Sequence, residues 1–188
     1  MDEYITSDKL IVNIIDQIVE AQLKLGYTKE KMTFYYPLTS LNKLLNKSFK
    51  TVEECVEICN SMDSIRRSKI GVLIFESNKS NIGVTVPVEG VSYVHEKEKP
   101  SEFLVSLIDA FRDNHHLNID DVERLFARFG EYERVEVSED TGFMYAIWFK
   151  DGKNSGDEYV YCINIEMGHT IYHRFMRDDY EELIKSVL

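Results

Sequence analysis

Cationic side chains are in short supply, with 22 lysines and arginines against 33 aspartates and glutamates in 188 residues, a formal charge of −11. A field of that sign repels phosphate backbones and anionic lipid surfaces, so the expectation is a partner that is neither nucleic acid nor membrane. Long apolar runs are missing too. None approaches the roughly 20 residues that span a bilayer, and the amino terminus, Met1-Asp2-Glu3-Tyr4, is acidic where a signal peptide is basic. Cysteine is scarce and odd in number. Cys55, Cys59 and Cys162 lie in apolar patterns, as expected of reduced thiols, and a cytoplasmic protein follows as the expectation. Catalytic and nucleotide-binding motifs are absent as well. Lys79 and Gly83 lack both the glycine spacing and the Gly-Lys-Ser or Gly-Lys-Thr ending of a phosphate loop.

What is present is 44% hydrophobic content in a length suited to one well-buried core, so residues 1–188 are expected to form a single domain. The organising stretch runs from Glu131 to Phe175, where apolar and polar residues alternate between turn signals. Phe143, Tyr145, Ile147 and Phe149 recur at every second position, as do Tyr159, Tyr161, Ile163 and Ile165, which is the period of a half-buried strand. Glu139-Asp140-Thr141-Gly142 reads as the turn into the first run, and the polar segment from Asp151 to Gly156 as the loop before the second. Val135 and Val137 suit a strand at a charged edge.

The final hairpin has two possible pairings. A two-residue turn at Met167-Gly168 sets His173 opposite Cys162 and His169 opposite Glu166, with Asn164 nearby, an arrangement with the look of a catalytic face. A type I turn with a bulge at Gly168 shifts the pairing by one and sends the partner strand's side chains to the other face, gathering Tyr159, Tyr161, Ile163 and Ile165 with His169, Ile171, His173 and Phe175. The bulged pairing is preferred, because a type I′ turn wants Asn or Asp where this chain has Met.

Six helices are expected around the strands. Leu10, Ile11, Ile14, Ile15, Ile18 and Val19 mark the core face of the first, capped at Ser7 and ending at Gly26. Met32 to Tyr36 reads as a strand stopped by Pro37, followed by a short helix with Leu41, Leu44 and Leu45 on its apolar face and Thr39 or Ser40 as cap. Tyr35 and Tyr36 point to opposite faces of that strand, one to the core and one toward a surface groove. Thr51-Val52-Glu53-Glu54 is a capping box, and Cys55 and Cys59 share the core face of the helix it opens. Strands are expected at Ile70 to Phe75, Ile82 to Val86 and Val91 to Val94. Beyond a polar linker from Glu96 to Lys99, Ser101 caps the next helix. A helix also closes the chain from Arg177 to Leu188. The architecture expected is therefore α+β, antiparallel β-meanders covered by about six helices.

The segments Lys24-Leu25-Gly26-Tyr27 and Tyr35-Tyr36-Pro37-Leu38-Thr39-Ser40-Leu41-Asn42 resemble an uncharacterised bacterial domain-of-unknown-function family. That resemblance implies no mechanism.

The connection between the helices of residues 103–129 carries Asp113, Asn114, His115, His116, Asn118, Asp120 and Asp121. An EF-hand alignment puts Arg112 at the first ligand and Leu117 where glycine is needed. A helix-turn-helix fails on charge, since Asp120, Asp121 and Glu123 would face phosphates. Adjacent His115 and His116 diverge too far to face one ion from regular backbone. Asn118 as a helix cap, with Asp120 and Asp121 at the positive end of the helix dipole, is the simpler reading. No metal or cofactor is implied. The functional expectation is a soluble, cytoplasmic, non-catalytic protein that binds a protein or small molecule, with His169, His173, Tyr161, Tyr172 and Glu166 as binding residues. The alternative is a hydrolase or transferase using the same histidine-containing site on the C-terminal sheet.

Overall fold

A computed structural model describes residues 2–137, 141–152 and 158–187. The chain divides into two units, Met1–Pro100 and Ser101–Leu188. Among the described residues are eight helices and two antiparallel sheets, the α+β class that the alternating and helical periods imply.

In the first unit, α1 (Asp2–Leu25) buries Leu10, Ile11, Ile14, Ile15 and Ile18. It stops at Gly26, whose φ of 85° is the left-handed conformation glycine adopts freely and whose N–H donates to the Gln22 carbonyl at 2.9 Å. Ser7 is not the cap. It lies within the helix and is buried, because it stands one turn before Leu10 and Ile11 on the same core-facing stripe.

β1 (Met32–Pro37), β2 (Ile74–Asn78) and β3 (Asn81–Val86) form a sheet in the order β1-β3-β2. Tyr36 is 5% exposed and Tyr35 59% exposed, the split that strand alternation requires. The Tyr36 hydroxyl donates to Asn13 Oδ1 at 2.8 Å, and Gln17 Nε2 donates to that same Oδ1 at 2.7 Å and to the Tyr36 oxygen at 2.6 Å. A polar triad therefore links α1 to the sheet inside the core.

The helices α2 (Leu38–Leu45), α3 (Val52–Ser61) and α4 (Asp63–Arg66) follow β1. Neither Thr39 nor Ser40 caps α2, since Pro37 occupies that position without a side-chain hydrogen bond. Thr51 does cap α3, accepting from the Glu54 N–H at 3.1 Å. Cys55 and Cys59 are buried free thiols with sulfurs 3.8 Å apart. Asn60 brackets the backbone of Phe75 with two bonds of 2.9 Å, satisfying β2 on its outer edge.

Two expected strands are corrected. Ile70 to Leu73 is irregular, and β2 starts only at Ile74. Val91 to Val94 lies in α5 (Val88–Lys97). A short apolar run does not distinguish strand from helix by period alone. Here Pro37's counterpart Pro87 stands at the N-cap, with Glu89 in the first turn and His95 and Lys97 in the last, all of which favour a helix.

The second unit packs α6 (Glu102–Asp113) and α7 (Ile119–Ala127) on a sheet of β4 (Tyr132–Glu136), β5 (Tyr145–Phe149), β6 (Tyr159–Glu166) and β7 (His169–Met176), in chain order, with α8 (Arg177–Val187) after the last strand. Ser101 caps α6, and Asn118 opens α7 with a reciprocal capping box to Asp121. Phe103 sits at the centre of the core, 4.7 Å from Phe126 and 4.8 Å from Phe149 in edge-on ring pairs. The expected turn at 139–142 and loop at 151–156 fall partly outside the described residues.

The last hairpin uses the two-residue turn. Met167 has φ 50° and Gly168 φ 79°, the paired left-handed residues of a type I′ loop, and Glu166 pairs with His169 and Cys162 with His173. The bulged register is thus overturned. Val160, Tyr161, Cys162 and Ile163 are all buried, so β6 is covered on both faces and alternation did not discriminate between the pairings. Thr170 fixes the choice: its N–H donates to the His115 carbonyl at 2.9 Å and its hydroxyl to the Leu117 carbonyl, contacts that a one-residue slip would break.

Candidate functional site

The register divides the predicted binding residues between two faces. Tyr161 and Tyr172 lie on the face covered by α6 and α7. Tyr161 is wholly buried there, and Tyr172 packs against Phe111 at 5.0 Å. His169, His173 and Glu166 lie on the other face, with Val160 and Cys162. His173 is exposed beside Phe143, whose ring centroid is 5.4 Å away. Cys162 stands opposite His173, yet no hydrogen bond joins them among the described residues. Burial pushes the Cys162 thiol up to about 12, so it is held as an unreactive thiol rather than a thiolate nucleophile. Asn164 donates to Glu166 at 3.0 Å.

The hairpin end gathers histidines that stand far apart in the sequence. His116 Nδ1 lies 2.6 Å from the Gly168 carbonyl, which can only accept, so the ring proton sits on that nitrogen. The ring of His169 stacks on His116 at 5.1 Å and meets His115 edge-on at 6.1 Å. All three rings are solvent-exposed. No group of three or more His, Cys, Asp or Glu among the described residues is placed to hold a metal ion.

A second place in this unit was not singled out by the sequence. A cleft of about 230 Å³ is lined by Trp148, Phe149, Lys150, Gly152, Glu158, Tyr159, Val160 and Arg177. Trp148 belongs to the face opposite Ile147 and Phe149, so strand alternation turns it away from the main core. Arg177, the first residue of α8, lies with its guanidinium 5.3 Å from the Trp148 ring centroid. Tyr180, one turn further along α8, packs against the same indole at 6.1 Å, and burial raises its hydroxyl above the usual tyrosine range. The indole Nε1 of Trp148 is buried and has no hydrogen-bond partner among the described residues. The signal available in the sequence was a large aromatic at an even position between Ile147 and Phe149, on the side that a two-state alternation assigns to polar residues.

The fold is thus α+β with two antiparallel sheets, and the second unit carries a cleft with mixed aromatic and charged walls. The chain belongs to the family described as "Domain of unknown function, E. rectale Gene description (DUF3877)", whose model matches residues 7–184. No curated protein and no solved structure matches it.

Proposed function

We propose that the protein is a non-catalytic binding protein whose ligand is a small molecule occupying the Trp148 cleft. The observation that carries this is the make-up of the cleft, an indole and a tyrosine beside the guanidinium of Arg177. A guanidinium resting on an indole face, with no carboxylate partner among the described residues, leaves a cation in the cleft wall available to a ligand. The three free, buried cysteines support a cytoplasmic setting, and the charge of −11 supports a partner other than nucleic acid. A single family match spanning residues 7–184 supports treating both units as one domain.

Thermal-shift screening of a small-molecule library against the wild type and Trp148→Phe tests the assignment. Stabilising compounds whose shift disappears in the variant are expected. A screen without hits, or hits indifferent to Trp148→Phe, contradicts it. A second reading, a hydrolase or transferase at the hairpin end, draws on the stacked His116 and His169 rings with Glu166 opposite His169. Ester or phosphate-ester turnover abolished by His169→Gln would favour that reading over the first.

A further inference from the structure

We propose that the cleft takes a small organic monocarboxylate, with its carboxylate toward Arg177 and Lys150 and a flat apolar body against Trp148 and Val160; this rests on the cleft being the binding site. The argument begins with charge. In a chain of net −11, the described residues of the cleft wall include two cations, Arg177 and Lys150, beside one anion, Glu158. Neither cation forms an ion pair among the described residues. Arg177 rests on an aromatic face instead, and Lys150 is exposed.

A guanidinium lying over an indole keeps its N–H fork available at the edge, the geometry that accepts a carboxylate bidentately. α8 begins at Arg177, so the positive end of its dipole lies beside the same guanidinium. The planar fork of a single guanidinium matches the two oxygens of a carboxylate. Size bounds the rest. About 230 Å³ lies below the roughly 300–1,000 Å³ typical of pockets for drug-sized ligands, so a single ring or short branched chain fills it.

Trp148 is the chain's only tryptophan, so one indole N–H cross-peak and the whole tryptophan fluorescence report from the cleft. Both are followed while the full chain is titrated with benzoate, with its neutral analogue benzamide and with phenyl phosphate. Benzoate is expected to shift the indole peak and bind at least about tenfold tighter than benzamide, as a charge-assisted bond implies. Arg177→Gln is expected to remove that preference while benzamide binding stays unchanged. Lys150→Gln, at an exposed position, should reduce it in the same direction if the arginine variant unfolds. Equal binding of benzoate and benzamide overturns the carboxylate and leaves the cleft standing. Tighter binding of phenyl phosphate replaces carboxylate by phosphate. An indole peak unmoved by all three at millimolar concentration overturns the cleft itself, and with it the proposed function.

Discussion

Gly90→Ala should be strongly destabilising, although intrinsic helix propensity argues the opposite. Gly90 lies in the first turn of α5 and is buried. Alanine in a helix interior is favoured over glycine by about 1 kcal/mol. A Cβ at this position, however, would stand 2.0 Å from the Ile70 carbonyl oxygen, 2.8 Å from its carbonyl carbon and 2.8 Å from Val86 Cγ1. Close carbon–oxygen contacts begin near 3.3 Å, so α5 and the Ile70 backbone must separate by about 1.3 Å. Ile70 and Val86 are both fully buried and have no solvent to move into. Overpacking of this kind costs about 1–3 kcal/mol, occasionally more. Taking the upper figure and subtracting the propensity gain leaves a net loss of about 2 kcal/mol. For a chain of this length that lowers the melting temperature by about 4–8 °C. Urea and thermal unfolding followed by circular dichroism measure it directly. A variant as stable as the wild type, or more stable, would refute the close approach of α5 to Ile70 and the helical assignment that rests on it.

Met167→Asn should stabilise by about 0.5–1 kcal/mol, because a left-handed residue costs an ordinary side chain about 1–2 kcal/mol and Asn less, while Met167 is 100% exposed and loses no packing. A loss of stability in urea would point back to the bulged turn. Thr170→Val should cost about 1–2 kcal/mol by leaving the Leu117 carbonyl unpaired; an unchanged urea midpoint would show that the hydroxyl bond contributes nothing to holding β7. The Cys162 thiol is raised from 9.0 to about 12, so the folded state favours its protonated form. That contribution is complete below about pH 9 and is lost as pH climbs toward about 12, at up to about 1.4 kcal/mol per pH unit. The unfolding free energy of the wild type should therefore fall relative to that of Cys162→Val with rising alkalinity, and a difference constant across that range would contradict the burial. Cys55 and Cys59 should react with thiol reagents only as the protein unfolds, since both are fully buried; labelling of the native state within minutes would count against their packing.

The helices were legible where a cap and a stripe agreed. Asn118 with Asp121, Ser101 before Phe103, and Thr51 before Cys55 each carry a local signal that the fold keeps. Ser7 misled because a small polar residue serves equally as a cap or as a buried point of close packing, and only tertiary structure decides. Val91 to Val94 is too short for its period to separate strand from helix. Tyr36 stands 19 positions from Gln17 and 23 from Asn13, and nothing local announces that it completes a polar group with that helical pair inside the core.

The candidate site was legible as a set of residue types and not as a set of neighbours. His169 was singled out, but its ring partners His115 and His116 come from a segment about 50 positions earlier, joined to the hairpin through Gly168 and Thr170. Tyr161 was grouped with His169 and His173 because the hairpin turn was read as bulged, and a shift of one residue exchanges the faces. Trp148 escaped notice because its face was expected to be polar, whereas Ala146, Val160, Cys162 and Phe175 make it a second apolar layer.

The central claim, that the cleft beside Trp148 takes a ligand, is tested most directly by the single tryptophan's indole resonance while benzoate is added to the full chain. A saturable shift of that peak is predicted. A peak unmoved at millimolar benzoate would contradict it.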